Sequence, residues 1–126
     1  MDHKIHVNHI LSILAVSAGL ILSTSAFSAV DDDAALSLAR QNGCIKCHAV
    51  DKRKDGPAYR DVAAKYKGKD HAASVKRLIT HITSGETAKF ADGHEEEHKV
   101  IKTTDVAQQT NLVEWILALP GGKWPE

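Results

Sequence analysis

Methionine occurs once in these 126 residues, at Met1, and cysteine only twice, at Cys44 and Cys47. Two cysteines exclude a four-cysteine metal site and a multi-bridge disulfide scaffold. Net charge is absent as well, with sixteen Lys and Arg against sixteen Asp and Glu. No global field is therefore available for gripping nucleic acid. Aromatics are scarce, at two Trp, two Tyr and two Phe. A single domain so poor in large rings would have a marginal core, because small domains bury a low fraction of their surface. Sustained period-2 alternation is also missing, so the chain reads as nearly all α.

The two cysteines that are present stand in Cys44-Ile45-Lys46-Cys47-His48. C-x-x-C-H is the spacing at which two cysteines attach a c-type haem through thioether bonds. The adjacent histidine then supplies an axial nitrogen to the iron. In an exported protein the pair could instead close a disulfide loop, and in the cytosol it could be a redox or zinc motif. The directly following His48 favours haem, and the covalently held group would supply the apolar bulk that the composition lacks.

The first 28 residues read as a signal peptide and residues 29–126 as one domain. Ile10 to Leu22 is an apolar run of thirteen residues, short of the roughly 20 that span a bilayer but suited to a signal-peptide core. Ala26-Phe27-Ser28 places cleavage after Ser28, with Ala26 and Ala29 as neighbouring alternatives. Lys4 is the only firm positive charge before the run and Asp2 opposes it, which leaves an uncleaved anchor as the alternative. His3, His6 and His9 would leave with the segment.

Beyond it, Asp31-Asp32-Asp33 is a helix-start signal. Ala34 to Gln41 is rich in helix formers, and Asn42-Gly43 stops it. Asp51 to Pro57 is a charged loop ending in a Gly-Pro turn. Further helices are predicted over Ala58 to Tyr66, over Ala72 to Ser84, and over Thr104 to Leu119 behind a Thr cap. In the second of these, Val75, Leu78, Ile79 and Ile82 fall at i, i+3, i+4 and i+7. In the last, Val106, Leu112, Val113, Ile116 and Leu117 share most of one stripe. Gly85 to Thr103 is a polar connection, of a length that is usually functional or disordered.

In this order the chain resembles a small monohaem bacterial class I cytochrome c. The likeness rests on Gly43-Cys44-Ile45-Lys46-Cys47-His48 after an N-terminal helix, on Gly56-Pro57-Ala58-Tyr59 through Tyr66, and on Leu112-Val113-Glu114-Trp115-Ile116-Leu117. It implies an all-α class I fold of four to five short helices wrapped round one covalent haem c. Cys44 and Cys47 would hold that group, and His48 would be the proximal ligand. The Pro57 carbonyl would accept the other imidazole N–H of His48. Trp115 would pack where the terminal helices cross. Phe90 falls near a position where relatives place a Trp beside a haem propionate, and Phe has no N–H to donate there.

The resemblance also implies a distal Met in a loop before the last helix. A chain whose one methionine is Met1 cannot provide it. That loop reads Asp92-Gly93-His94-Glu95-Glu96-Glu97-His98, and histidine is the next axial ligand to consider. Counting back from Trp115 favours His98, and counting forward from Gly85 favours His94 as second choice. His71 and His81 read as surface or packing histidines. His94 to His98 also satisfies H-E-x-x-H, in which two histidines one helical turn apart bind zinc. Gly93 and three consecutive glutamates argue against a buried catalytic helix there.

The functional expectation is a periplasmic one-electron carrier, or the cytochrome subunit of an oxidoreductase, and not itself an enzyme. Bis-histidine ligation would lower its potential. The alternative is a gas sensor or peroxide-reactive haem protein with a labile distal histidine. The expected partners are periplasmic redox proteins, approached through Lys46, Lys52, Arg53 and Lys54, with Glu95, Glu96 and Glu97 opposing them. Neither nucleic acid nor stable membrane insertion is expected, and the chain should be a monomer or weak dimer.

Overall fold

The computed structural model describes residues 29–122, so the predicted signal segment and its cleavage site lie outside the described residues. Four helices, α1 (Asp32–Gln41), α2 (Tyr59–Tyr66), α3 (His71–Thr83) and α4 (Val106–Ala118), make up nearly half of it. A 3₁₀ turn, Cys44–Lys46, follows α1. Aspartate sets three of the four helix starts. Asp31 accepts from the Ala34 N–H, Asp70 from Ala73, and Asp105 from Ala107 and Gln108, each satisfying first-turn donors that have no intrahelical partner. The cap of α4 is thus Asp105, one residue beyond the expected Thr104. Thr103 Oγ1 holds the Asp105 N–H instead.

The core forms where α1 and α4 meet. Ala35 and Ala39 are spaced by one helical turn and almost wholly buried, and their small side chains admit α4 closely. Leu38 from α1, Tyr59 from α2, and Leu112, Trp115 and Ile116 from α4 complete the cluster. Val106, expected on the same stripe, is 66 % exposed, because it opens α4 beyond the end of the core. Gln109 is buried one turn later, its Nε2 donating to the Thr103 carbonyl at 2.9 Å.

Two asparagines tie distant segments together. Asn111 Oδ1 accepts from Asp31 N and its Nδ2 donates to Asp31 O, pinning the start of α1 to α4. Asn42 is buried at the end of α1. Its Nδ2 donates to Leu38 O at 2.9 Å, and its Oδ1 accepts from Lys102 N at 2.7 Å. The residue that stops α1 therefore also anchors the chain just ahead of α4.

The connection after Gly85 is not a loop. It folds as an antiparallel hairpin of β1 (Thr87–Lys89) and β2 (Glu95–Glu97), which pair Thr87 with Glu97, Ala88 with Glu96 and Lys89 with Glu95. The strands carry no apolar alternation. Backbone pairing and a turn through Gly93 at φ +93° hold them instead. The fold is accordingly the all-helical architecture expected, with one small sheet that composition did not signal.

Candidate functional site

Short-range geometry gathers Cys44, Cys47 and His48. Gly43 leaves α1 with φ +68°. The Cys47 and His48 N–H groups then both donate to Cys44 O, at 3.2 and 2.9 Å, closing the pentapeptide into one turn. Both cysteines are half-buried and are not joined to each other by a disulfide. Burial is the main influence on Cys44 and pushes its thiol pKa up. Burial likewise raises the Tyr59 hydroxyl well above its ordinary value, with Cys44 adding to the effect.

His48 is clamped on its faces and at one nitrogen. The Tyr59 ring stacks on it with centroids 5.2 Å apart and planes 18° from parallel. On Gly56, a Cβ would come within 2.5 Å of His48 Cε1, so only glycine allows this approach. Gly56 N donates to Cys47 O at 2.8 Å, which folds the charged loop back over the ring. His48 Nδ1 lies 2.7 Å from the Pro57 carbonyl. A carbonyl only accepts, so Nδ1 carries the proton and the lone pair is left on Nε2. Burial lowers the His48 pKa, with Pro57 opposing, and the ring is neutral. Tyr59 meets Trp115 edge-on at 5.7 Å, which links the clamp to the core.

The two loop histidines are separated by the hairpin. His94 sits at its tip, exposed, with Phe90 stacked on it at 4.4 Å. Its Nδ1 bonds Asp92, and its Nε2 lies 3.3 Å from Glu96. The Asp92 hydrogen bond is the main cause that raises its pKa. His98 follows β2 and is half-buried, its ring centre 6.3 Å from that of His48 and tilted 47° to it. Burial, then repulsion from His81 and His48, push its pKa down to about 4. Its Nδ1 is buried without a hydrogen-bond partner. His98 is therefore a second neutral base facing the first.

An extended strand places residues i and i+4 roughly 13 Å apart. The His94-to-His98 stretch contains a strand rather than a helical turn, so the H-E-x-x-H reading loses its geometry. Among the described residues, no group of three or more His, Cys, Asp and Glu side chains converges as a metal site. Phe90 stands against His94 at the hairpin tip. Of the histidines set aside as surface or packing residues, His71 bonds Glu114 at the surface. His81 is a packing residue, and what it packs against is the second histidine. Its ring is 4.1 Å from that of His98, a contact that three-dimensional closure of the hairpin creates and no local spacing signals. The Gly56 approach was equally hidden, although Gly-Pro marked its turn.

Two neutral imidazoles and two thiols on one turn can hold a metal-bearing group covalently and from both sides. A transition metal about 2 Å from each ring nitrogen, with each ring centre about 1.1 Å farther back, sets the centres roughly 6 Å apart. The observed 6.3 Å fits such a group. Among the described residues no helix is long and apolar enough to cross a membrane.

The sequence and the fold both have relatives. The cytochrome c family model matches residues 34–120. Cytochrome c-551 of Allochromatium vinosum is 38 % identical over 67 % of this chain and 84 % of its own. Cytochrome c-552 of Nitrosomonas europaea is 34 % identical over 84 % of this chain and 94 % of its own. Among solved structures, class 1 cytochrome MtoD of Sideroxydans lithotrophicus ES-1 superposes with a TM-score of 0.69 at 58 % identity, covering 74 % of this chain and all of that one. The chain belongs to the cytochrome c family, as a small class I monohaem member with one covalently bound c-type haem.

Proposed function

We propose that this cytochrome is a periplasmic one-electron carrier whose haem iron lies between His48 and His98. The observation that carries the reading is the pair of half-buried, neutral imidazoles with centres 6.3 Å apart. Cys44 and Cys47 would tether the haem, which when bound supplies one-electron iron chemistry. The chain's own residues do the rest. The Pro57 carbonyl holds the proton on His48 Nδ1 and raises the basicity of the ligating nitrogen. Gly56 and Tyr59 fix the plane of that ring, and the hairpin delivers His98 from the opposite side.

With His48 and His98 both holding the iron, electron exchange would be the natural activity. Imidazole donates more strongly than a thioether and stabilises ferric iron, so the potential lies below that of methionine-ligated members of the family. The turn that would bear the haem presents exposed Ile45 and Lys46. Lys46 and Lys99 side chains converge over Gly43, and Lys54 Nζ donates to Ile45 O at 2.7 Å. A small apolar spot ringed by cations suits brief encounters with an acidic redox partner.

Spectropotentiometric titration with a carbon monoxide challenge tests the proposal. The expected outcome is a low potential and a ferrous spectrum that carbon monoxide leaves unchanged. A potential as high as that of methionine-ligated relatives, or rapid carbon monoxide binding, would overturn it, and the second result would favour the gas-reactive alternative.

A further inference from the structure

Around the distal histidine the chain builds a second layer from α3 and the first residue of the hairpin. Arg77 and His81 are four residues apart on α3 and therefore share one face. α3 ends at Thr83 with Ser84 as its C-cap, and Gly85 follows at φ +69°, which turns the chain back along that face. Glu86 is thereby laid beside both side chains. Its Oε1 accepts from Arg77 Nη1 at 2.6 Å and pairs with His81 Nδ1. The Glu86 carbonyl also accepts from His98 N at 2.9 Å, extending the ladder one pair beyond Thr87 and Glu97. Ile101 N donates to Ile82 O at 3.0 Å and fixes the far side of the same segment. The His81 ring, so held, lies against His98 with centroids 4.1 Å apart.

His98 needs such a support. The ring of His48 is gripped by Gly56, Tyr59 and Pro57, whereas His98 Nδ1 has no hydrogen-bond partner among the described residues. A ligand without a partner on its outer nitrogen has its orientation set by packing alone. We infer that His81, locked by Glu86 and Arg77, is the positioning residue that sets the ring plane of His98 and keeps it on the iron. Glu86 is the hub of the arrangement, because it fixes the backbone of one histidine and the side chain of the other. The inference rests on the ligation proposed above.

Its test is the ferric low-spin EPR spectrum, which reports the angle between axial ring planes, together with the rate at which added imidazole displaces the distal ligand. His81→Ala should shift the g-values and speed displacement about tenfold, the lower end of what loss of an outer-shell partner costs. Glu86→Ala should reproduce both effects, and Glu86→Gln, which retains a side-chain carbonyl acceptor, should restore both toward the parent. Thermal melts of each variant separate positioning from stability, since a purely structural role lowers Tm and leaves the g-values in place. Parental g-values and a displacement rate within twofold of the parent in His81→Ala would overturn the inference while leaving the ligation untouched. Survival of the six-coordinate signal in His98→Ala would instead remove the ligation itself, and its loss in His81→Ala alone would make His81 the ligand.

Discussion

Gly56 shows how a single missing Cβ shapes the haem-binding side of this cytochrome. The His48 ring occupies the space that any other side chain would need, and the atoms in the way belong to a ring held by Tyr59 and Pro57. Gly56→Ala should therefore displace His48 and destabilise the protein by about 1–3 kcal/mol, the usual cost of overpacking. Thermal melting and the fraction of low-spin haem check both effects together. Asn42→Ala acts at the same scale by another route. It strands the Lys102 N–H in a part-buried position, where an unsatisfied donor costs about 1–3 kcal/mol, and a denaturant titration reads the loss. Sequence spacing marked Cys44, Cys47 and His48, because their chemistry is local. It could not mark Gly56, His81 or the reach of Asn42, since each acts on a residue brought close only by folding.

Among the elements, the hairpin departs furthest from sequence expectation. Helices were legible from 3.6-residue periodicity and, for α1, from its opening aspartates, whereas the caps Asp70 and Asp105 emerged only in the fold. Three-residue strands of Thr, Ala, Lys and Glu leave no comparable trace, because backbone pairing and the Gly93 turn define them. The hairpin also gives different surroundings to two histidines that spacing could not separate, exposing His94 and half-burying His98. Its tip has a distinctive pH response. The Asp92 hydrogen bond raises the His94 pKa above 6.5, so that contribution is complete below 6.5 and fades as pH rises through the folded value. Hydrogen bonds from the His94 backbone N–H and ring lower Asp92 below 3.8, so its contribution holds above 3.8 and fades as pH falls through the folded value. The tip should be best ordered between about pH 4 and 6.5. NMR titration of His94 should give a midpoint above 6.5 that returns toward 6.5 in Asp92→Asn. An unshifted midpoint in the parent would remove the pairing.

The whole molecule is neutral in sum but divided in its charges. Lys46, Lys54 and Lys99 gather at the haem-bearing turn, while Glu95, Glu96 and Glu97 line the exposed second strand. If the basic side meets the redox partner, electron-transfer rates with an acidic protein acceptor should fall as salt rises. Lys46→Glu with Lys99→Glu should slow them further at low salt, as read by stopped-flow, whereas Glu95→Gln with Glu97→Gln should leave them nearly unchanged. Composition alone, with its zero net charge, concealed this division. The proposed ligation departs from the family's methionine on one side only, with His98 taking the place that the single methionine, Met1, cannot fill. The most direct measurement is the visible spectrum of His98→Ala beside that of His94→Ala. His98→Ala should lose the six-coordinate low-spin signal while His94→Ala keeps it, and a His98→Ala spectrum identical to the parent would show that iron is held by something other than the His48–His98 pair.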